Sequence, residues 1–64
     1  MIVTIQLGKV AYYIIDCLQD EGLILKITKQ CDMFTLQFRT PDYMDIVSRY
    51  SKASGVHSIL LEQL

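Results

Sequence analysis

Residues 23–39 decide the fold of this chain, and they read LILKITKQCDMFTLQFR. In residues 23–29 and again in residues 34–39, apolar and polar residues alternate with the period of two that is typical of half-buried strands. Gln30, Cys31 and Asp32 form a short polar connection between the two runs. Two strands joined by so short a loop predict an antiparallel hairpin.

An amphipathic helix is predicted on the N-terminal side of this hairpin, over residues 9–21. Gly22 follows it, where a left-handed C-terminal cap is favoured. At the helical period Tyr12 and Ile15 point away from the core and are predicted to be exposed. The apolar residues that recur at i, i+3, i+4, i+7 and i+8, and are therefore predicted to be buried, are Val10, Tyr13, Ile14, Cys17 and Leu18.

A second helix is predicted on the C-terminal side of the hairpin. Thr40 has the character of an N-cap, Pro41 suits the first helical position, and Asp42 complements the helix dipole. The helix is expected to end near Gly55. Its predicted core residues are Tyr43, Ile46, Val47 and Tyr50.

Two further strands lie outside the helices. Residues 2–7 alternate, and residues 56–64 form a last strand in which Ile59 and Leu61 face inward while Leu60 faces outward. The order is β-α-β-β-α-β. Because β-α-β units wind right-handed, this order predicts an α+β, ferredoxin-like fold: one domain over residues 1–64, a four-stranded antiparallel sheet with strands 1 and 3 central, and two helices on one face.

Composition limits the class of partner. The chain has 64 residues, of which 52% are hydrophobic and 20% charged, and these are globular proportions. A net charge of -1 lacks the basic footprint of a nucleic-acid binder. The sheet face opposite the helices is also predicted to lack the aromatic platforms that stack bases. No nucleic-acid partner is expected. The residues predicted on that face are Ile2, Thr4, Gln6, Ile24, Lys26, Thr28, Thr35, Gln37 and Arg39.

The pattern of apolar residues predicts a cytoplasmic protein with no membrane partner. The longest apolar run covers residues 10–15, far short of the roughly 20 residues that span a bilayer. Residues 1–7 lack the succession of basic, apolar and small residues that is typical of a signal peptide.

Catalytic chemistry is not indicated by the residue types. His57 is the only histidine, and Cys17 and Cys31 are too far apart for a CxxC pair. Asp42 and Asp45 fall in a first helical turn, where carboxylates stabilise the helix dipole. We therefore expect no enzyme, no catalytic residue, no metal site and no cofactor.

Exposed apolar residues point to protein contact. The second strand carries Lys26 and Lys29, which discourage edge pairing, whereas residues 56–64 contain no lysine and could accept a partner strand. Chains of this size also often gain stability by association. We expect a homodimer or a complex with another protein. The predicted partner-binding residues are Ile2, Tyr12, Ile15, Ile59, Leu60 and Leu61.

Several motifs resemble those of ACT-type regulatory domains over nearly the whole chain. They are Gly8 after the first strand, the turn Glu21-Gly22-Leu23-Ile24, and the later Ser54-Gly55-Val56-His57-Ser58-Ile59. The resemblance implies side-by-side dimers and an amino-acid-sized ligand near Gly8 and Lys9. The Gly8 loop by itself fits either a tight strand-to-helix connection or exposed amides that hold an anion.

Two functions are compatible with these features. The first is a small non-catalytic regulatory or inhibitory protein that acts by protein contact, of a size typical of stand-alone regulators, including those carried by phages and mobile elements. The alternative is an ACT-like regulatory domain that binds a small ligand such as an amino acid.

Overall fold

A computed structural model describes the backbone of residues 1–63 and the side chains of residues 1–23 and 26–63. Two helices and four strands follow one another in the predicted order. A 3-10 turn, Lys9–Ala11, precedes the first helix. The bounds of the regular elements are β1 Ile2–Leu7, α1 Tyr13–Asp20, β2 Ile24–Gln30, β3 Met33–Arg39, α2 Tyr43–Tyr50 and β4 Val56–Glu62.

The four strands form one antiparallel sheet in the order β2-β3-β1-β4. β1 and β3 are therefore central and β2 and β4 are the edges, as the sequence predicts. Ile5 of β1 pairs with Leu36 of β3 on one side and with Ile59 of β4 on the other. The architecture is the ferredoxin-like α+β fold.

The core lies between the helices and one face of the sheet. Alternate residues of the central strands supply that face, and each helix adds a buried stripe. The fully or almost fully buried hydrophobic residues are Val3, Ile5, Leu7, Ala11, Ile14, Ile15, Leu18, Phe34, Leu36, Phe38, Ile46 and Tyr50.

The predicted buried face of α1 is wrong in part. Ile15 is only 4% exposed and belongs to the core, whereas Val10 is 72% exposed; Tyr13 and Cys17 are exposed as well. The reason is that residues 10–15 are all apolar or aromatic and allow two stripes at helical spacing, of which the structure buries the one that contains Ala11 and Ile15. The buried stripe is consequently Ala11, Ile14, Ile15 and Leu18.

The end of α1 follows the prediction. Gly22 has φ 72, and the N–H of Leu23 reaches back to the carbonyl of Leu18 at 3.1 Å, as in a Schellman cap. No helix in the described part of the chain is long and apolar enough to cross a bilayer.

The start of α2 is later than predicted. Asp42, not Thr40, is the N-cap, and the helix begins at Tyr43. The Thr40 side chain is buried, and its Oγ1 accepts a hydrogen bond from the N–H of Asp42 at 3.1 Å. This local turn precedes the helix. α2 ends at Tyr50, and Gly55, with φ 90, leads into β4.

The β2-β3 hairpin turns through two residues, Cys31 and Asp32, since Gln30 pairs with Met33. Cys31 has φ 56, a conformation that glycine normally occupies. The register of β2 shifts between Ile24 and Lys26. The predicted orientations of the Ile24 and Leu25 side chains, and the predicted extension of the last strand to Leu64, lie outside the described residues.

Candidate interaction surface

β4 is an edge strand whose only sheet neighbour is β1. Thr4 lies opposite Leu60, and the side-chain Oγ of Ser58 donates a hydrogen bond to Oε1 of Gln6 at 3.3 Å. The opposite edge of β4 has no neighbouring strand among the described residues. Its outward backbone groups are thus available for a further strand.

Leu60 lies on the sheet face opposite the helices and is 56% exposed. Ile2 lies on the same face and is half-buried, opposite Glu62 and diagonal to Leu60. The structure therefore brings these two predicted residues together. The pair adds a small apolar patch beside the free edge.

Ile59 and Leu61 lie on the helix side of β4. Ile59 packs partly against the core, whereas Leu61 is predicted to face inward but stays at the boundary, 36% exposed. They line a groove of about 270 Å³ between β4 and α2, together with Val56, His57 and Ser58. Val47 and Ser51 form its helix wall. An edge strand flanked by a mostly apolar groove is suited to a partner strand whose alternate side chains need a pocket.

The side of α2 next to this groove carries no charge. Met44, Val47, Ser48 and Ser51 recur at i, i+3, i+4 and i+7 and share one helix face. We call them the α2 stripe. Val47 and Ser51 face the groove, and Met44 is exposed.

Charged residues occupy a different side of α2, where it meets α1. Arg49 donates hydrogen bonds to both carboxylate oxygens of Glu21, at 3.0 and 3.3 Å, and also pairs with Asp45 at 3.0 Å. The hydrogen bond to Glu21 raises the pKa of Arg49. Burial raises the pKa of the adjacent Tyr50 hydroxyl. These groups join the two helices and lie away from the groove.

Tyr12 and Ile15 do not join the β4 surface. Tyr12 is 49% exposed, and its ring meets Phe34 edge to face at 5.1 Å between centroids. Phe34 belongs to β3, two strands away from β4. Ile15 is buried and is therefore unavailable to a partner, so its predicted exposure is wrong.

The Gly8 loop is a tight connection. The N–H of Gly8 donates to the carbonyl of Gly55 at 2.9 Å and is thus already used within the chain. A Cβ on Gly8 would lie 3.2 Å from Nε2 of His57. Lys9 is exposed, and its Nζ lies 3.3 Å from Oδ1 of Asp32 at the hairpin turn.

A second concavity, of about 480 Å³, lies near this loop and was not predicted from the sequence. It depends on a bulge: Gln6 pairs with Ser58 but Leu7 pairs with Val56, so His57 is an extra residue. No simple alternation pattern reveals such a bulge. The lining residues are Gln6, Gln30, Cys31, Asp32, Met33, Thr35 and His57.

Ligating side chains are scattered in the described part of the chain. No three His, Cys, Asp or Glu residues there come close enough together to hold a metal ion. Cys17 and Cys31 are both exposed free thiols.

Comparison with protein-family models, curated proteins and solved structures finds no match to this chain.

Proposed function

We propose that this protein is a small non-catalytic regulatory or inhibitory module that binds another protein chain along the free edge of β4. The observation that carries the proposal is an edge strand, Val56–Glu62, that has no lysine or proline and adjoins a mostly apolar groove. Backbone pairing at such an edge supplies affinity, and the groove supplies specificity. A cytoplasmic location and an origin in a phage or mobile element belong to the same proposal.

The other edge of the sheet is less suited to pairing. Lys26 and Lys29 on β2 are both exposed, and Nζ of Lys29 lies 5.7 Å from the centroid of the Phe34 ring. Lysines on an edge strand oppose pairing because a partner would have to desolvate them. The two edges therefore differ in charge, and this difference favours β4.

The test places a charge on β4 without disturbing the core. Because Leu60 is exposed, Leu60→Lys should change stability by no more than about 0.5 kcal/mol. The matched control is Thr28→Lys, which adds the same charge on the same face of the sheet but on the other edge strand, β2. We expect immobilised wild-type protein and Thr28→Lys to capture the same partner from the native host, while Leu60→Lys loses it.

The outcome that contradicts the proposal is equal capture by Leu60→Lys and the wild type. Hydrogen exchange of the backbone amides gives a second readout. Amides of β4 should become protected when the partner is added, and those of β2 should not.

A second candidate function, binding of an amino-acid-sized ligand, is favoured by the concavity of about 480 Å³. Asp32 lines it, and the neighbouring Lys9 pairs with Asp32. A free amino acid carries one carboxylate and one ammonium group, and this pair offers a partner for each. Calorimetric titration with the common amino acids tests the idea, with Lys9→Ala expected to weaken binding and Lys52→Ala expected to leave it unchanged.

A further inference from the structure

The central residues of β4 carry no charge. Ser58, Ile59, Leu60 and Leu61 carry no charge, and the next residue is Glu62. The α2 stripe beside the edge is uncharged as well. A two-fold interface places each surface against its own copy, so a charged patch would repel itself there. This surface avoids that repulsion.

The sequence of β4 is also self-complementary in one antiparallel register. In a continuous sheet, opposed residues must lie on the same face, which restricts the symmetric registers to those centred on a residue. When Leu60 opposes Leu60, Ile59 opposes Leu61 on the helix side, and Ser58 opposes Glu62 at each end. Within residues 58–62, every apolar residue then faces an apolar residue, and each Glu62 faces a hydroxyl group.

Registers centred one residue away, in which the pairing shifts by two residues, lose this match. Centred on Ile59, the pairing places Leu60 against Ser58, and centred on Leu61 it places Leu60 against Glu62. Both leave an apolar side chain beside a polar one. Side-chain pairing across strands therefore favours the register centred on Leu60.

We propose that the chain bound at the β4 edge is a second copy of this protein, an inference that rests on the proposed function. The two β4 strands run antiparallel, with Leu60 opposite the partner subunit's Leu60. The two sheets form one sheet of eight strands, and both pairs of helices lie on the same side of it. The two α2 stripes then face each other across the two-fold axis.

The surface area that a stable interface needs is larger than the β4 strand alone supplies. A standard interface buries about 800 Å² per partner. That is about a fifth of the 4233 Å² of exposed surface that the described residues present. A pairing of five residues per strand is small for this area, and the α2 stripe lies where it adds to the contact.

The test uses a gain of affinity that only this register produces. In Ser58→Lys the new ammonium group meets the partner subunit's Glu62, and symmetry makes this ion pair twice. Within one copy, residues 58 and 62 are roughly 13 Å apart along the strand and cannot pair. We expect a dissociation constant lower by about twofold to thirtyfold, measured by sedimentation equilibrium, with the gain reduced in high salt.

Three further variants control the result. Ser58→Lys combined with Glu62→Gln should lose the gain, Leu60→Lys should yield a monomer, and Thr28→Lys should associate like the wild type. Weaker association of Ser58→Lys than of the wild type overturns the register. A wild type that stays monomeric at millimolar concentration overturns the second-copy inference, and capture of a host partner that Leu60→Lys loses would then leave the proposed function standing.

Discussion

The carbonyl of Gly55 accepts a hydrogen bond from the N–H of Gly8 at 2.9 Å, and this bond joins the end of β1 to the start of β4. Gly55 has φ 90 at this point, and its Cα lies against the 3-10 turn. The bond and the turn together position the first residues of the edge strand. The interaction surface therefore depends on a glycine that lies outside it.

Gly55→Ala should be strongly destabilising. The positive φ alone costs about 1–3 kcal/mol for a residue with a Cβ. The new Cβ would also lie 2.9 Å from the backbone N of Ala11 and 3.1 Å from its Cβ. Denaturant unfolding measures the total. Gly22→Ala is the control, because its φ is 72 but no atom lies within 4 Å of the added Cβ. Equal losses in the two variants would contradict the close approach at Gly55.

Cys31→Gly should stabilise the hairpin. Cys31 is the first of two turn residues and has φ 56, which costs an L-residue about 1–2 kcal/mol. The greater flexibility of glycine in the unfolded chain offsets about 0.5–1 kcal/mol of the gain. We expect a higher Tm, by a few degrees. Asp32→Gly at the second turn position should not raise the Tm, because Asp32 has no positive φ and pairs with Lys9.

The corrected phase of α1 can be tested with one pair of variants. Ile15 is 4% exposed, so Ile15→Ala should cost about 2–5 kcal/mol. Val10 is 72% exposed, so Val10→Ala should cost less than about 0.5 kcal/mol. The buried stripe predicted from the sequence, which contains Val10 and not Ile15, implies the reverse order of the two losses. Urea unfolding of both proteins decides between the two phases.

The strands and α1 differ in how far the sequence alone determines their buried faces. The buried faces of the strands in residues 2–7 and 34–39 match the prediction, because a period of two leaves few alternatives when one face is buried. The buried face of α1 is not determined in the same way, because two sets of apolar residues recur there at helical spacing, one with Val10 and Tyr13 and the other with Ala11 and Ile15. The exposed position of Leu60 on β4 follows from alternation, whereas the bulge at His57 depends on how the Gly8 and Gly55 segments meet in space.

Stability should fall in alkaline solution in a way that depends on Tyr50. Burial raises the pKa of its hydroxyl above the ordinary value of about 10, although the nearby Arg49 opposes this effect. The unfolded chain then releases the Tyr50 proton first as the pH rises. The contribution of the protonated Tyr50 hydroxyl to the free energy of unfolding is complete below about pH 10. It is lost as the pH rises through the pKa that Tyr50 has in the folded protein. Unfolding midpoints at pH 8 and pH 11 should differ less in Tyr50→Phe than in the wild type. Equal differences would mean that Tyr50 keeps its ordinary pKa.

Met44→Lys should weaken self-association if the α2 stripe belongs to the interface. Met44 is exposed and shares a helix face with Val47 and Ser51, which line the groove beside β4. A lysine there leaves the core untouched, but it places two positive charges near each other across the two-fold axis. Sedimentation equilibrium should give a higher dissociation constant, and the loss should shrink in high salt because screening weakens the repulsion.

Tyr13→Lys is the control for this variant, since Tyr13 is exposed on α1 and lies off the stripe. It should associate like the wild type. If Met44→Lys also did so while Leu60→Lys dissociated, the contact would be confined to the strand. α2 would then lie beside the interface without contributing to it.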